Sequence, residues 1–114
     1  MTPLALAQTE FVQDVGRLIA WVYEHPTWAL TFGEAQRPPE VAAIYAAQGR
    51  GIAKSLHIDR LAIDLNLWMD GIWRPETEAH APLGVYWEAL RPSKNRWGGR
   101  FKKPDGGHYE RNII

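Results

Sequence analysis

The sequence contains no cysteine. That excludes a disulfide framework and any thiolate metal site, so a bound metal would have to rely on histidine and carboxylate ligands. Charge of one sign is missing too: 13 basic and 13 acidic side chains cancel to a formal +0 at pH 7. No surplus of positive charge exists to hold a nucleic-acid backbone, and no nucleic-acid partner is expected. No apolar run reaches the ~20 residues of a membrane span, so no membrane insertion is expected. Residues Met1 to Gln8 lack both a basic start and a sustained apolar run, and no secretory signal is expected there. Against these absences stand 46% hydrophobic and 23% charged residues, a composition that folds rather than stays disordered. At 114 residues the chain suits one domain, 1–114, with a real but small core, and a monomer is expected.

Hydrophobic spacing predicts the elements. Phe11, Val15, Leu18 and Val22 recur at helical intervals, which predicts a helix from about Gln8 to Glu24 with Thr9 as its N-cap and Pro26 beyond its end. Trp28–Phe32 reads as a short strand. A helix over about 39–48 follows the Pro38-Pro39 pair, with Val41, Ile44 and Tyr45 inward. Leu61, Ile63, Leu65 and Leu67 alternate with Ala62, Asp64 and Asn66, the period of a strand with one apolar face. Asp70-Gly71 is a hairpin turn, and Ile72-Trp73-Arg74 the return strand. A helix is predicted over 82–90, with Leu83, Tyr86, Trp87 and Leu90 inward. The last piece, from His108 to about Asn112, reads as a strand beside the central one.

The chemistry gathers in two stretches. In Ser55 to Asp64, S-L-H-I-D-R-L-A-I-D, His57 precedes the central strand and Asp64 lies on the face opposite its apolar residues. In Asp105-Gly106-Gly107-His108 a second histidine follows a second carboxylate by three residues. Two histidines and one aspartate leave a fourth position open for water, which is a catalytic zinc arrangement. The remaining carboxylate can then handle the proton of that water. Asp105 also suits an ordinary Pro-Asp-Gly turn. His25 and His80 have no such context and read as surface residues. Trp97 reads as core more readily than as a platform for ligand. Gly98-Gly99 would let the backbone pass close to the site. Glu110 would face away from Tyr109 in a strand, and a supporting role for it is conjecture.

Ser55 to Asp64 resembles the S-x-H-x-x-G-x-A-x-D motif of the zinc peptidases of bacterial cell walls: the D-alanyl-D-alanine carboxypeptidases and the L-alanyl-D-glutamate endopeptidases, phage endolysins among them. Trp97-Gly98-Gly99-Arg100-Phe101, followed by Asp105-Gly106-Gly107-His108-Tyr109-Glu110, is similar to the W-G-G-x-W/F … D-x-x-H-F-E ending of the endopeptidase branch. Thr31 to Arg37 resembles the family's strand-end S-G-x-R segment. Two departures stand out. Arg60 replaces the usual glycine, and Gly106-Gly107 replaces a residue that is often bulkier or proline.

The resemblance implies an α+β fold, a small antiparallel sheet with helices packed against it, of the Hedgehog/D-Ala-D-Ala-peptidase-like kind. It implies one Zn2+ per chain on His57, Asp64 and His108, with Asp105 as general base. Arg37 would bind the substrate's carboxylate or polarise the scissile carbonyl, a task suited to the planar guanidinium fork; a solvated surface charge is the plainer alternative. Ser55 would either contact substrate or cap a turn. The function implied is hydrolysis of the L-Ala–D-Glu bond in the peptidoglycan stem peptide by a phage endolysin or virion lytic enzyme. Such a protein would stay in the host cytoplasm until released to the wall, or travel in the virion. A carboxypeptidase of the same chemistry and a non-catalytic wall-binding module are the alternatives. The intact ligand set with a base beside it argues against the second.

Overall fold

Leu61, Ile63, Leu65 and Leu67 are buried, at 5% exposure or less, while Asp64 on the alternate face is half-buried. This central strand orders the computed structural model, which describes residues 1–35, 39–48, 56 and 58–112, the side chains of residues 39, 42 and 45 excepted. The elements are helix α1 (Pro3–Tyr23), strand β1 (Trp28–Phe32), helix α2 (Pro39–Ala47), strand β2 (Ala62–Met69), strand β3 (Ile72–Trp73), helix α3 (Thr77–Leu90), strand β4 (Asn95–Trp97) and strand β5 (His108–Arg111). All pairings are antiparallel, in the order β1-β2-β5-β4, with β3 on the end of β2. The fold is α+β, as expected. Among the described residues, no helix is long and apolar enough to cross a membrane.

Both α1 and α3 pack on the apolar face of β2. Phe11, Leu18 and Val22 from α1 and Leu83 and Trp87 from α3 join the strand's leucines, Trp97 and Tyr109 in one buried cluster. Trp87 meets Phe11 and Tyr109 edge-on and donates its indole N–H to the carbonyls of Arg96 and Glu110, both at 3.1 Å. A polar clamp ties α1 to the opposite end of the sheet. Asp14, fully buried, accepts from Arg17, Arg91 and Asn95, and Glu10 pairs with Arg91 and Arg111.

Several boundaries differ from expectation. α1 begins at Pro3, not near Gln8: Thr2 is the cap, accepting from the Ala5 N–H at 3.1 Å, and Pro3 occupies the first turn where its missing N–H costs nothing. Thr9 lies inside the helix and bonds back to the Leu6 carbonyl. α3 begins at Thr77, so Pro82 is interior; its ring leaves the Glu78 carbonyl without the usual helical donor. Ile44, expected inward, is exposed, and no described side chain of α2 joins the buried cluster; the Tyr45 side chain lies outside the described residues. Asp70 and Gly71 both have positive φ, 52° and 73°, as a two-residue hairpin turn demands.

Replacing Asp14 with alanine removes one acceptor from Arg91, which keeps Glu10, and one from the buried Asn95 amide, which keeps the Trp87 carbonyl. The substitution should cost about 3 kcal/mol in urea unfolding, the scale of a broken buried ion pair. A loss below about 1 kcal/mol would mean the clamp holds little of the fold together.

Candidate active site

The pairing of β2 with β5 sets Asp64 directly across from His108. On the other side of Asp64, the chain beyond β1 braces its backbone. The Asp64 carbonyl accepts from the Gly33 N–H at 2.7 Å, and its N–H donates to Glu34 at 2.8 Å. Asp105 reaches the same place from the loop before β5. Its N–H donates to the Gly98 carbonyl at 2.9 Å, and its carbonyl accepts from the His108 N–H at 3.2 Å. Gly98 does run close against the site: a Cβ there would lie 2.8 Å from the Cβ of His108. Asp64, Asp105 and His108 thus each offer a ligand atom, and the three atoms lie within 4.8 Å of one another.

The His108 ring is held from both sides. Nδ1 stands 3.2 Å from a carboxylate oxygen of Asp64, and Nε2 is 2.6 Å from Glu110, which is itself paired with Arg96. Glu110 lies two residues after His108, so the strand's period puts both side chains on one face. The two-residue spacing from His108 on the expected strand is the signal in the sequence that points to Glu110. The Phe101 ring packs 5.5 Å from the His108 ring, at the rim.

Burial by itself would lower the pKa of His108, but the hydrogen bonds and charges of Asp64 and Glu110 outweigh it and raise the pKa to about 9. Glu110 is likewise pushed up by burial, yet its bond to His108 and the charges of His108 and Arg96 bring it below the ordinary carboxylate range. The arrangement fits a divalent cation. With Nε2–H donated to Glu110, the Nδ1 lone pair points toward the Asp64 carboxylate, and that approach is favourable only with a proton or a metal ion between them. A ligand histidine whose other nitrogen is tied to a carboxylate is the usual support of a protein metal site. One histidine and two carboxylates among the described residues can therefore hold a metal, with Asp105 free to serve as base if another ligand completes the set.

Of the residues expected at this site, Asp64, Asp105 and His108 come together. His57, Arg37 and Ser55 lie outside the described residues. Arg60, at the family's glycine position, has φ of 58°, a left-handed conformation that explains why glycine suits that place. Trp97 is buried, as expected of a core residue. The two remaining histidines are not surface residues. His80 is 2% exposed, with Nδ1 2.8 Å from the Tyr109 hydroxyl, and burial lowers its pKa. His25 is half-buried and stacks on Trp28.

A helix-backed antiparallel sheet thus carries, across its central pair, a His–carboxylate cluster that could hold a metal ion. Residues 48–111, more than half of the chain, match the family model described as D-alanyl-D-alanine carboxypeptidase, and the protein belongs to that family of peptidases. Among solved structures it is similar to the L-Ala D-Glu endopeptidase ChiX of Serratia marcescens, with a TM-score of 0.77 and 17% identity over 92% of this chain and 80% of that one. At that identity the likeness bears on the fold. No curated protein matches the sequence.

The raised pKa of His108 predicts how the metal-free protein responds to pH. Its folded pKa, about 9, lies above the ordinary 6.5, so the stability that the protonated ring contributes is fully present below pH 6.5. That stability is lost as pH climbs through 9. Thermal unfolding in chelator should show a falling midpoint over this window, and His108→Gln should flatten it. A native profile as flat as the variant's would show that the ring is not held as a cation.

Proposed function

We propose that this protein is a zinc-dependent peptidase of the bacterial cell wall that cuts the peptidoglycan stem peptide between L-Ala and D-Glu. The observation that carries the reading is the cluster of Asp64, Asp105 and His108, with His108 fixed from behind by Glu110. Family membership supports the peptidase chemistry, and the W-G-G … D-x-x-H ending supports the endopeptidase branch. His57, Asp64 and His108 would hold one zinc ion per chain. When bound, zinc lowers the pKa of a coordinated water toward ~7 and polarises a carbonyl.

The chain's own residues supply the rest. Asp105 is exposed and sits beside the proposed ligands, where its carboxylate can accept the proton of the attacking water and return it to the leaving amine. Arg37 would bind a substrate carboxylate or share the charge developing on the carbonyl oxygen, and Ser55 would contact substrate. A monomer with a phage lytic role, as an endolysin or a virion component, belongs to the same proposal.

The roles separate by mutation. Purified protein should carry one zinc per chain and lose it in His57→Ala and Asp64→Ala. Asp105→Asn should keep the zinc while hydrolysis falls ~100-fold, the scale of a general base. If Asp105→Asn lost its metal along with its activity, Asp105 would be a ligand and another group the base.

The family model's own description favours a second reading, removal of a terminal D-Ala. Digestion of purified sacculi, with mass spectrometry of the muropeptides, decides between the two. New N-terminal D-Glu, with L-Ala left on the muramic acid, is the expected result. Free D-Ala as the main product would assign the protein to carboxypeptidase chemistry.

A further inference from the structure

Asp105 is exposed, and among the described residues no side chain hydrogen-bonds its carboxylate. Its position therefore depends on the backbone that carries it. Two bonds act on Asp105 itself, through Gly98 and His108. A third acts on the next peptide: the indole Nε1–H of Trp97 donates to the Gly106 carbonyl at 2.8 Å, in a buried setting. Trp97 has little freedom to aim that bond elsewhere. Its ring lies between α3 and the turn after β4, so close that a Cβ on Gly84 or Gly99 would fall 2.1 or 2.2 Å from ring atoms. The far side of Gly106 is walled by α3, where an added Cβ would meet the Thr77 Cα at 2.6 Å. Gly106 is thus pinned between the indole N–H and the first residue of α3. The next carbonyl, of Gly107, accepts from the Leu65 N–H at 2.9 Å, which anchors the segment to β2 right beside Asp64.

We propose that Trp97 is a positioning residue for Asp105: its indole N–H, bonded to the Gly106 carbonyl, sets where the Asp105 carboxylate stands relative to Asp64 and His108. The inference rests on the reading of Asp105 as the base. It also accounts for the glycine at 106: a side chain there would collide with Thr77 and move the peptide that Trp97 holds. His108 does not depend on this bond, since Asp64 across the sheet and Glu110 behind it fix the ring. Loss of the indole donor should therefore affect the base and spare the metal.

The test replaces Trp97 with β-(3-benzothienyl)alanine, which keeps the bicyclic shape and substitutes sulfur for the N–H. The zinc-loaded protein is assayed on a soluble stem peptide, alone and in the Asp105→Asn background. With the single replacement kcat should fall about tenfold or more, as a small misplacement of a catalytic group does. KM and zinc content should stay unchanged. In the Asp105→Asn background the same replacement should bring no further fall, because the two act as a unit. Trp97→Phe, which also lacks the donor, should reproduce the kcat loss if the analogue expresses poorly. An unchanged kcat, an equal fall in both backgrounds, or loss of zinc together with kcat would each overturn the positioning role. Full activity of Asp105→Asn alone would instead remove the base assignment, and the inference with it.

Discussion

The structure depends most on one pairing, the short antiparallel ladder that sets Asp64 of β2 opposite His108 of β5. A strand's two faces make this pairing serve both stability and chemistry. On one face Leu61, Ile63, Leu65 and Leu67 take the helices; on the other, Asp64 meets His108. Slipping the register by one residue would send Asp64 into the core and a leucine into the site. The cost of such a slip keeps Asp64 and His108, from distant parts of the sequence, in place without a disulfide.

Among the described residues, Asp64, Asp105 and Glu110 gather about the His108 imidazole, and Arg96 pairs with Glu110. In the absence of a dication the ring itself becomes the cation, which is why its pKa rises despite burial. Glu110 therefore has two functions. It orients the ring, and it makes Nδ1 the nitrogen that faces the other carboxylates. The second polar cluster, around Asp14, is remote from the chemistry. It joins α1 to the end of α3 and to strands β4 and β5.

Much of this was readable from the sequence, and the reasons are specific. Strict alternation over 61–67 and the Asp-Gly turn give β2 and its hairpin, and spacing alone puts Asp64 on the free face. The misses have physical causes as well. α1 starts earlier than its apolar stripe suggests: the stripe is strongest from Phe11, while the Thr-Pro start signal sits two turns earlier. Pro82 reads as a helix start, but the five helical residues before it outweigh one lost hydrogen bond. His80 falls on the face of Leu83, Gly84 and Trp87; its burial is hard to see in the sequence because its partner, Tyr109, is supplied from a strand distant in sequence. Glu110 carries the same period-two signal as Asp64, but that signal does not suffice for it. Its meaning depends on which strand face carries the metal, and that depends on tertiary pairing.

The most direct test is a crystal structure of the zinc-loaded protein with anomalous diffraction at the zinc edge. One metal ion is expected, bound by the Asp64 carboxylate and by Nδ1 of His108, with Nε2 still on Glu110. A metal held through Nε2 with Glu110 displaced, or a metal bound away from the β2–β5 pair, would contradict it.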